Sequence, residues 1–323
     1  MSLLEMRNVE VSYPGTRGVP VRAVAGIDLT IQAGRVTALV GESGCGKSSL
    51  GKAAVGLLAP SAGSIRFEGE PVLPLDRGAR PARLRALQMV FQDPYSSLNP
   101  RRRIGEQVAD GVRAGTDRGG DVERKVAEVL ERVGLPAGIA TRYPHEFSGG
   151  QRQRIAIARA LAAKPRCIVA DEPISALDAS AQASVARLLA DLVKDTGMGM
   201  LFISHDLSIV RRIADDIAVM YLGKLAEQGE PDDLWRAPRH PYTRGLVHAI
   251  PRADGAGRLP DDLPGDVANP ASPPSGCRFH PRCPIAQDIC ARTDPPVVTD
   301  PQGRRAACHF PLDAAAPAGA GQV

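Results

Sequence analysis

Long apolar runs are missing from these 323 residues. A bilayer-spanning helix needs about 18 or more consecutive apolar residues, and the best candidate, 213–222, is interrupted by Asp215 and Asp216. The opening residues, MSLLEMRNVEV, lack the basic start, apolar stretch and small-residue cleavage site of a signal peptide. The expectation is a protein that stays in the cytosol and meets a membrane only through partners. Aromatic residues are few, at 4%, which argues against a base-stacking platform for nucleic acid. Neither sign of charge is in large excess: 40 basic against 36 acidic residues give a net charge of +4. That is a mixed solvated surface, compatible with phosphate binding and diagnostic of nothing. No internal repeat is present. In a reducing cytosol the six cysteines are not read as disulfides, which leaves metal binding, catalysis or packing.

What is present is globular. Hydrophobic residues make up 43% and charged residues 24%, and the length allows a full-size core plus a smaller appended piece. Residues 3–13 and 27–32 alternate apolar and polar positions as strands of an antiparallel sheet do. Further strands are expected at 35–40, 64–73, 88–92, 167–170 and 200–204, and helices at 48–58, 123–133, 151–163 and 179–196. Strand and helix in alternation predict an α/β fold whose parallel sheet is covered on both faces. Beyond about Pro238 glycine, proline and aspartate become frequent and periodicity fades, marking a C-terminal extension, 238–323, whose tail 314–323 reads as disordered.

Two segments carry phosphate chemistry. Gly41, Glu42, Ser43, Gly44, Cys45, Gly46, Lys47 and Ser48 match GxxxxGK[ST], with a strand before and a helix from Ser48 after, and Ser49 joins them as a nucleotide-binding candidate. Glycines let consecutive backbone N–H groups turn toward phosphate, and the helix N-terminus adds its positive dipole end. Lys47 is expected on the β- and γ-phosphates and Ser48 on Mg²⁺. Asp171 and Glu172 close the apolar run 167–170, where α/β sheets place ligands. Asp171 is the candidate Mg²⁺ ligand and Glu172 the candidate general base that polarises water. Such an acidic pair by itself is commonly a solvated loop or helix cap; beside a phosphate loop it reads as chemistry.

Phe147, Ser148, Gly149, Gly150 and Gln151 precede a helix rich in Arg and Ala. Here the chain resembles the ATP-binding-cassette family, whose signature is LSGGQ, with Phe147 in the first position. The resemblance implies a RecA-like core, an antiparallel β subdomain, a helical signature subdomain at about 94–150 within an ATPase domain 1–237, and the extension. It implies that Ser148–Gln151 close over the ATP held by a second cassette. Gln92 then matches the glutamine that touches Mg²⁺ or water, Asp178 (in Ser-Ala-Leu-Asp) the loop that communicates across the dimer, His205 the switch histidine, and Tyr13 the aromatic stacked on adenine. Cys45 and Cys167 are read as packing residues.

Finer resemblance, in 92–100, 143–148, 172–178 and 240–243, points to the oligopeptide/dipeptide importer branch. It implies an ATPase that powers peptide import from the cytoplasmic face of the membrane as a peripheral subunit. The expected partners are a second ATPase (a paralogue, or a second copy), two integral membrane permeases and, indirectly, an extracytoplasmic substrate-binding protein, with no nucleic acid. Residues 93–110 are expected to meet a permease. Nickel, glutathione or another small solute remain alternative cargoes, and a non-transport ATPase on ribosome or DNA the alternative class. Cys277, Cys283, Cys290 and Cys308 are spaced C-x5-C-x6-C-x17-C without close CxxC pairs. By resemblance they hold a [4Fe-4S] cluster; zinc or metal-free thiols stay open, with His280 and His309 as spare ligands.

Overall fold

The computed structural model describes residues 2–312 apart from 16–17, 77, 94–96, 116–119, 251–262 and 264. The tail expected to be disordered, and residues 94–96 of the segment expected to meet a permease, lie outside the described residues.

Alternation at the start of the chain builds two long strands, β1 (Ser2–Tyr13) and β2 (Val21–Gln32), paired antiparallel. After β3 (Val36–Val40) and α1 (Lys47–Ala54), β4 (Ala62–Phe67) and β5 (Glu70–Pro71) complete a four-stranded sheet of order β2-β1-β4-β5. β6 (Leu87–Val90) is followed by three helices, α2 (Ile104–Ala114), α3 (Val122–Arg132) and α4 (Gly149–Leu161). β7 (Cys167–Asp171), α5 (Ala179–Thr196), β8 (Gly199–Ser204), α6 (Leu207–Ile213) and β9 (Asp216–Tyr221) restore the strand–helix alternation.

Five strands, in the order β9-β3-β8-β7-β6, run parallel. Their side chains divide between two cores, because successive residues of a strand point to opposite faces. Val36, Ala38, Ile168, Ala170, Met200 and Phe202 pack against α2–α6 on one face. Leu39, Cys167, Val169, Leu201 and Ile203 pack against α1 and the antiparallel sheet on the other. Burial on both faces is why these strands read as apolar runs rather than as alternation. Cys167 is fully buried there, its thiol pushed up to about 12 by desolvation, as a packing residue should be.

The apolar segment 213–222 is no span. Asp215 lies between α6 and β9, and its carboxylate accepts the Val36 N–H at 2.7 Å, stitching the start of β9 to β3. Among the described residues no helix is long and apolar enough to cross a membrane.

The extension does not hang apart from the sheet. β10 (Lys224–Gly229) pairs antiparallel with β9, and after α7 (Pro231–Arg236), α8 (Pro241–His248) and α9 (Asp288–Arg292) the strands β11 (Val297–Thr299) and β12 (Arg305–Ala307) return to it. β12 pairs with β10, giving eight strands ordered β11-β12-β10-β9-β3-β8-β7-β6. Tyr242 and Phe279 join the larger core. The helix expected over 48–58 ends at Ala54 because Val55, Gly56 and the residues after it turn away.

Candidate nucleotide site

The carboxyl ends of adjacent parallel strands gather the residues that the sequence scattered. The loop after β3 is the glycine-rich one. Gly41 and Gly46 both have positive φ, and a Cβ at either would collide with a backbone carbonyl, that of Met220 or Ala23. Only glycine fits both demands. Lys47 is 3% exposed, and its ammonium donates to the carbonyls of Gly41 at 2.8 Å and Glu42 at 2.9 Å, 3.8 Å from the Cys45 sulfur. The lysine is thus folded back over its own loop, its charge satisfied locally.

Asp171 ends β7 beside that loop. The Ser48 hydroxyl donates to its carboxylate at 2.8 Å, joining residues 123 apart in sequence. Burial raises the Asp171 carboxyl above its usual range, with the Ser48 hydrogen bond pulling the other way. A hard cation suits this pair: two oxygen donors face each other beside a buried carboxylate whose charge lacks solvent. Mg²⁺ takes few protein ligands and leaves the rest to phosphate and water.

Glu172 follows with φ 44°, a left-handed backbone rare outside glycine. Its N–H donates to the Ile203 carbonyl of β8 at 3.0 Å and Ser175 caps its carbonyl, so neighbouring strands hold the strained geometry. One carboxylate oxygen accepts from Gln92 at 3.2 Å and lies 3.4 Å from Nδ1 of His205. Gln92 follows β6 and His205 follows β8, on either side of β7. Tyr13, at the end of β1, is half-exposed, its hydroxyl 3.0 Å from that of Ser49.

The SGGQ segment sits elsewhere and is turned outward. Ser148 caps α4 through a reciprocal pair with Gln151: the Gln151 side chain accepts the Ser148 N–H at 3.0 Å, and the Ser148 hydroxyl accepts the Gln151 N–H at 3.4 Å. Both residues are exposed. Gly149 and Gly150 let this helix tip rest on Leu177 and Ala181, the neighbours of Asp178. The Asp178 carboxylate accepts the Ala181 N–H at 2.9 Å as the cap of α5.

Cys277, Cys283, Cys290 and Cys308 line one small cavity together with His280 and His309. All are free thiols, and burial pushes Cys277, Cys283 and, to about 11, Cys308 upward. The iron–sulfur expectation itself is unsupported, because convergence stops short of ligand grouping: no three of these side chains come together closely enough to hold a metal.

Two residues that sequence reading gave no role also touch the loop. The Glu42 N–H donates to the Tyr242 hydroxyl, and the Glu42 carboxylate pairs with Arg282. Tyr242 lay within a motif used only to mark the branch; for Arg282, 240 residues from its partner, no local pattern exists to find.

Comparison with known proteins agrees with this geometry. Residues 24–175 match the family model described as ABC transporter, and 226–290 match the oligopeptide/dipeptide transporter C-terminal region. A probable peptide ABC transporter ATP-binding protein of Sinorhizobium fredii is 46% identical, over 98% of this chain and 92% of that one. The di/tripeptide transport ATP-binding protein DppF of Pseudomonas aeruginosa is 44% identical, over 95% of this chain and 97% of its own. Among solved structures, cbiO1 of Clostridium perfringens, part of the ABC transporter complex cbiONQ, superposes with a TM-score of 0.61 at 28% identity, covering 72% of this chain and 90% of that one. A dimeric ATP-binding cassette in a post-hydrolysis state with ADP and phosphate superposes at 0.62 with 26% identity, over 71% and 99%.

Proposed function

The chain belongs to the ABC transporter family of ATP-binding proteins, an ATP hydrolase family that works with Mg²⁺, and from that premise we propose that it powers peptide import. Relatives similar along nearly the whole chain are named for peptide or di/tripeptide transport, and the oligopeptide/dipeptide region matches at 226–290. The observation that carries the catalytic reading is the Glu172 carboxylate, shared by Gln92 and His205 beside the Ser48–Asp171 pair.

In this reading Lys47 exchanges the Gly41 and Glu42 carbonyls for the β- and γ-phosphates of ATP. Ser48, Asp171 and Gln92 would hold Mg²⁺, which when bound would neutralise charge developing on the phosphates. Glu172 takes a proton from water as the water oxygen bonds to the γ-phosphorus and the bond to the bridging oxygen breaks, releasing ADP and phosphate. Gln92 and His205 orient Glu172, and Tyr13 lies against adenine. Ser148, Gly149, Gly150 and Gln151, outward-facing on this chain, cap the nucleotide of a second ATPase, with Asp178 at the same contact. The subunit works on the cytoplasmic face of the membrane with two permease subunits, and segment 93–110 docks to one of them.

The [4Fe-4S] reading of the four cysteines rests on resemblance: they line one cavity, but no three side chains group there as metal ligands. Iron and sulfide analysis of anaerobically purified protein tests it: four iron atoms per chain support the cluster, and a metal-free protein removes it.

Detergent co-purification tests the main reading. Recovery with integral membrane subunits, and ATP turnover stimulated by peptide-loaded binding protein, support it. Recovery with ribosomes or DNA in place of permeases would sink it.

A further inference from the structure

A glycine-rich loop is entropically costly to order, and this one is braced from the far end of the chain. The Glu42 N–H donates to the Tyr242 hydroxyl at 3.0 Å. The Glu42 carboxylate accepts both terminal nitrogens of Arg282, at 2.8 and 3.1 Å. A forked guanidinium–carboxylate contact fixes direction as well as distance. Little of it is wet, since the side chains of Arg282 and Glu42 are 5% and 21% exposed.

Arg282 is itself held in place. Its guanidinium lies 5.8 and 5.9 Å from the ring centres of Tyr221 and Phe279 and donates to the Tyr221 hydroxyl at 3.4 Å. Tyr242, fully buried, packs on the same two rings at 4.7 and 5.3 Å. Tyr221 ends β9, directly after the Met220 carbonyl that backs Gly41. The turn His280–Arg282 lies between Cys277 and Cys283 and is held at both ends by backbone bonds, the His280 N–H donating to the Cys277 carbonyl at 2.9 Å and the Cys283 N–H to the His280 carbonyl at 3.2 Å.

We propose that Arg282, with Tyr242, is a positioning residue for nucleotide binding: it holds Glu42, and so the first turn of the phosphate loop, in the shape that receives ATP. The extension thereby sets nucleotide affinity from a place that touches no nucleotide. The inference rests on the reading of Gly41–Ser48 as the nucleotide loop.

The test is a titration of the full-length chain with a fluorescent ATP analogue and Mg²⁺, paired with ATPase kinetics of the assembled transporter. Arg282→Ala weakens binding by about tenfold, within the roughly 5- to 150-fold typical of linked sites. It raises KM for ATP by a similar factor while kcat at saturating ATP stays within about twofold. Arg282→Lys, which keeps the charge and loses the fork, falls between the two. In a Glu42→Ala background Arg282→Ala adds nothing, because the partner it acts through is gone. A merely structural role would lower the melting temperature and leave KM alone, and that outcome overturns the proposal. So does a full additive loss in the Glu42→Ala background, for which Arg282→Lys serves if the alanine variant does not fold. Lys47→Ala separates the two readings. If it binds the analogue as tightly as wild type, the nucleotide loop itself is misassigned; if it loses binding while Arg282→Ala does not, only the brace fails.

Discussion

Replacing Glu172 by glutamine isolates its chemistry, because the surroundings accept an amide as readily as an acid. The side chain is 15% exposed and one oxygen faces Gln92 at 3.2 Å and His205 at 3.4 Å. A glutamine carbonyl can occupy that position, so the Gln92 contact survives and the fold loses little, on the order of 0.5 kcal/mol. What disappears is the capacity to take a proton. A positioned general base contributes about 10²- to 10⁴-fold, or roughly 2.7–5.5 kcal/mol at 1.36 kcal/mol per decade. The expected outcome for Glu172→Gln is unchanged ATP affinity, turnover of the assembled transporter down by that factor, and a closed ATP-loaded dimer that accumulates on size-exclusion chromatography. Glu172→Gly supplies the control. At φ 44° glycine relieves strain of about 1 kcal/mol or more, so this variant melts higher than wild type yet turns over no faster than the glutamine variant. Turnover of Glu172→Gln within about threefold of wild type would refute the general-base assignment.

Asp171→Asn trades stability against activity. Since burial raises the native carboxyl, its ionised form at neutral pH costs folding energy, so the asparagine variant should melt higher without nucleotide while Mg²⁺-dependent turnover drops about a hundredfold. Gly150→Val places a side chain against the Ala181 methyl, 3.3 Å from the first added carbon. The displaced helix tip should leave ATP binding by the isolated chain intact and cut turnover of the assembled transporter by about a hundredfold; unchanged turnover would place the SGGQ tip outside the reaction. His240 gives a pH dependence. Fully buried, it is pulled from 6.5 to about 4 by desolvation, and its Nδ1 accepts the Tyr242 N–H that caps α8. Because the unfolded chain binds this proton first, His240 makes stability fall as pH drops from about 6.5 toward 4, by at most about 1.4 kcal/mol per unit. Glu227, raised by burial beside it, works in the opposite direction. His240→Asn keeps a capping side chain and removes the titration, so melting curves from pH 7.5 to 5 should fall less steeply for the variant than for wild type.

Legibility followed the range of the interactions. The phosphate loop was readable because its chemistry needs consecutive residues, and the helix read at 179–196 was readable because its signals are local: Asp178 caps α5 and Gly197 ends it. The segment 213–222 was hard because its two aspartates have tertiary partners: Asp215 bonds Val36, and Asp216 takes the Gln228 amide at 2.7 Å. A pattern of apolar residues broken by charge does not say that a helix ends and a strand begins there. The left-handed backbone of Glu172 left no trace either, since it is imposed by the Ile203 carbonyl of a neighbouring strand.

The same distinction separates what makes the site reactive from what makes it ready. In the proposed mechanism Lys47, Ser48, Asp171 and Glu172 supply charge and proton transfer, and each stands in a motif. The loop that carries two of them is shaped by groups outside the phosphate-binding and acidic motifs. The carbonyls of Met220 and Ala23 press on Gly41 and Gly46, the Gly223 N–H reaches the Cys45 carbonyl at 2.8 Å, and Tyr242 with Arg282 holds Glu42. Three of these belong to β9 and the turn after it or to β2, elements that the core needs in any case. Tyr242 and Arg282 come from the extension alone. A cassette ending near residue 237 would keep every catalytic group and lose one side of the loop's support, so the extension's contribution belongs in affinity for nucleotide rather than in the rate of its hydrolysis.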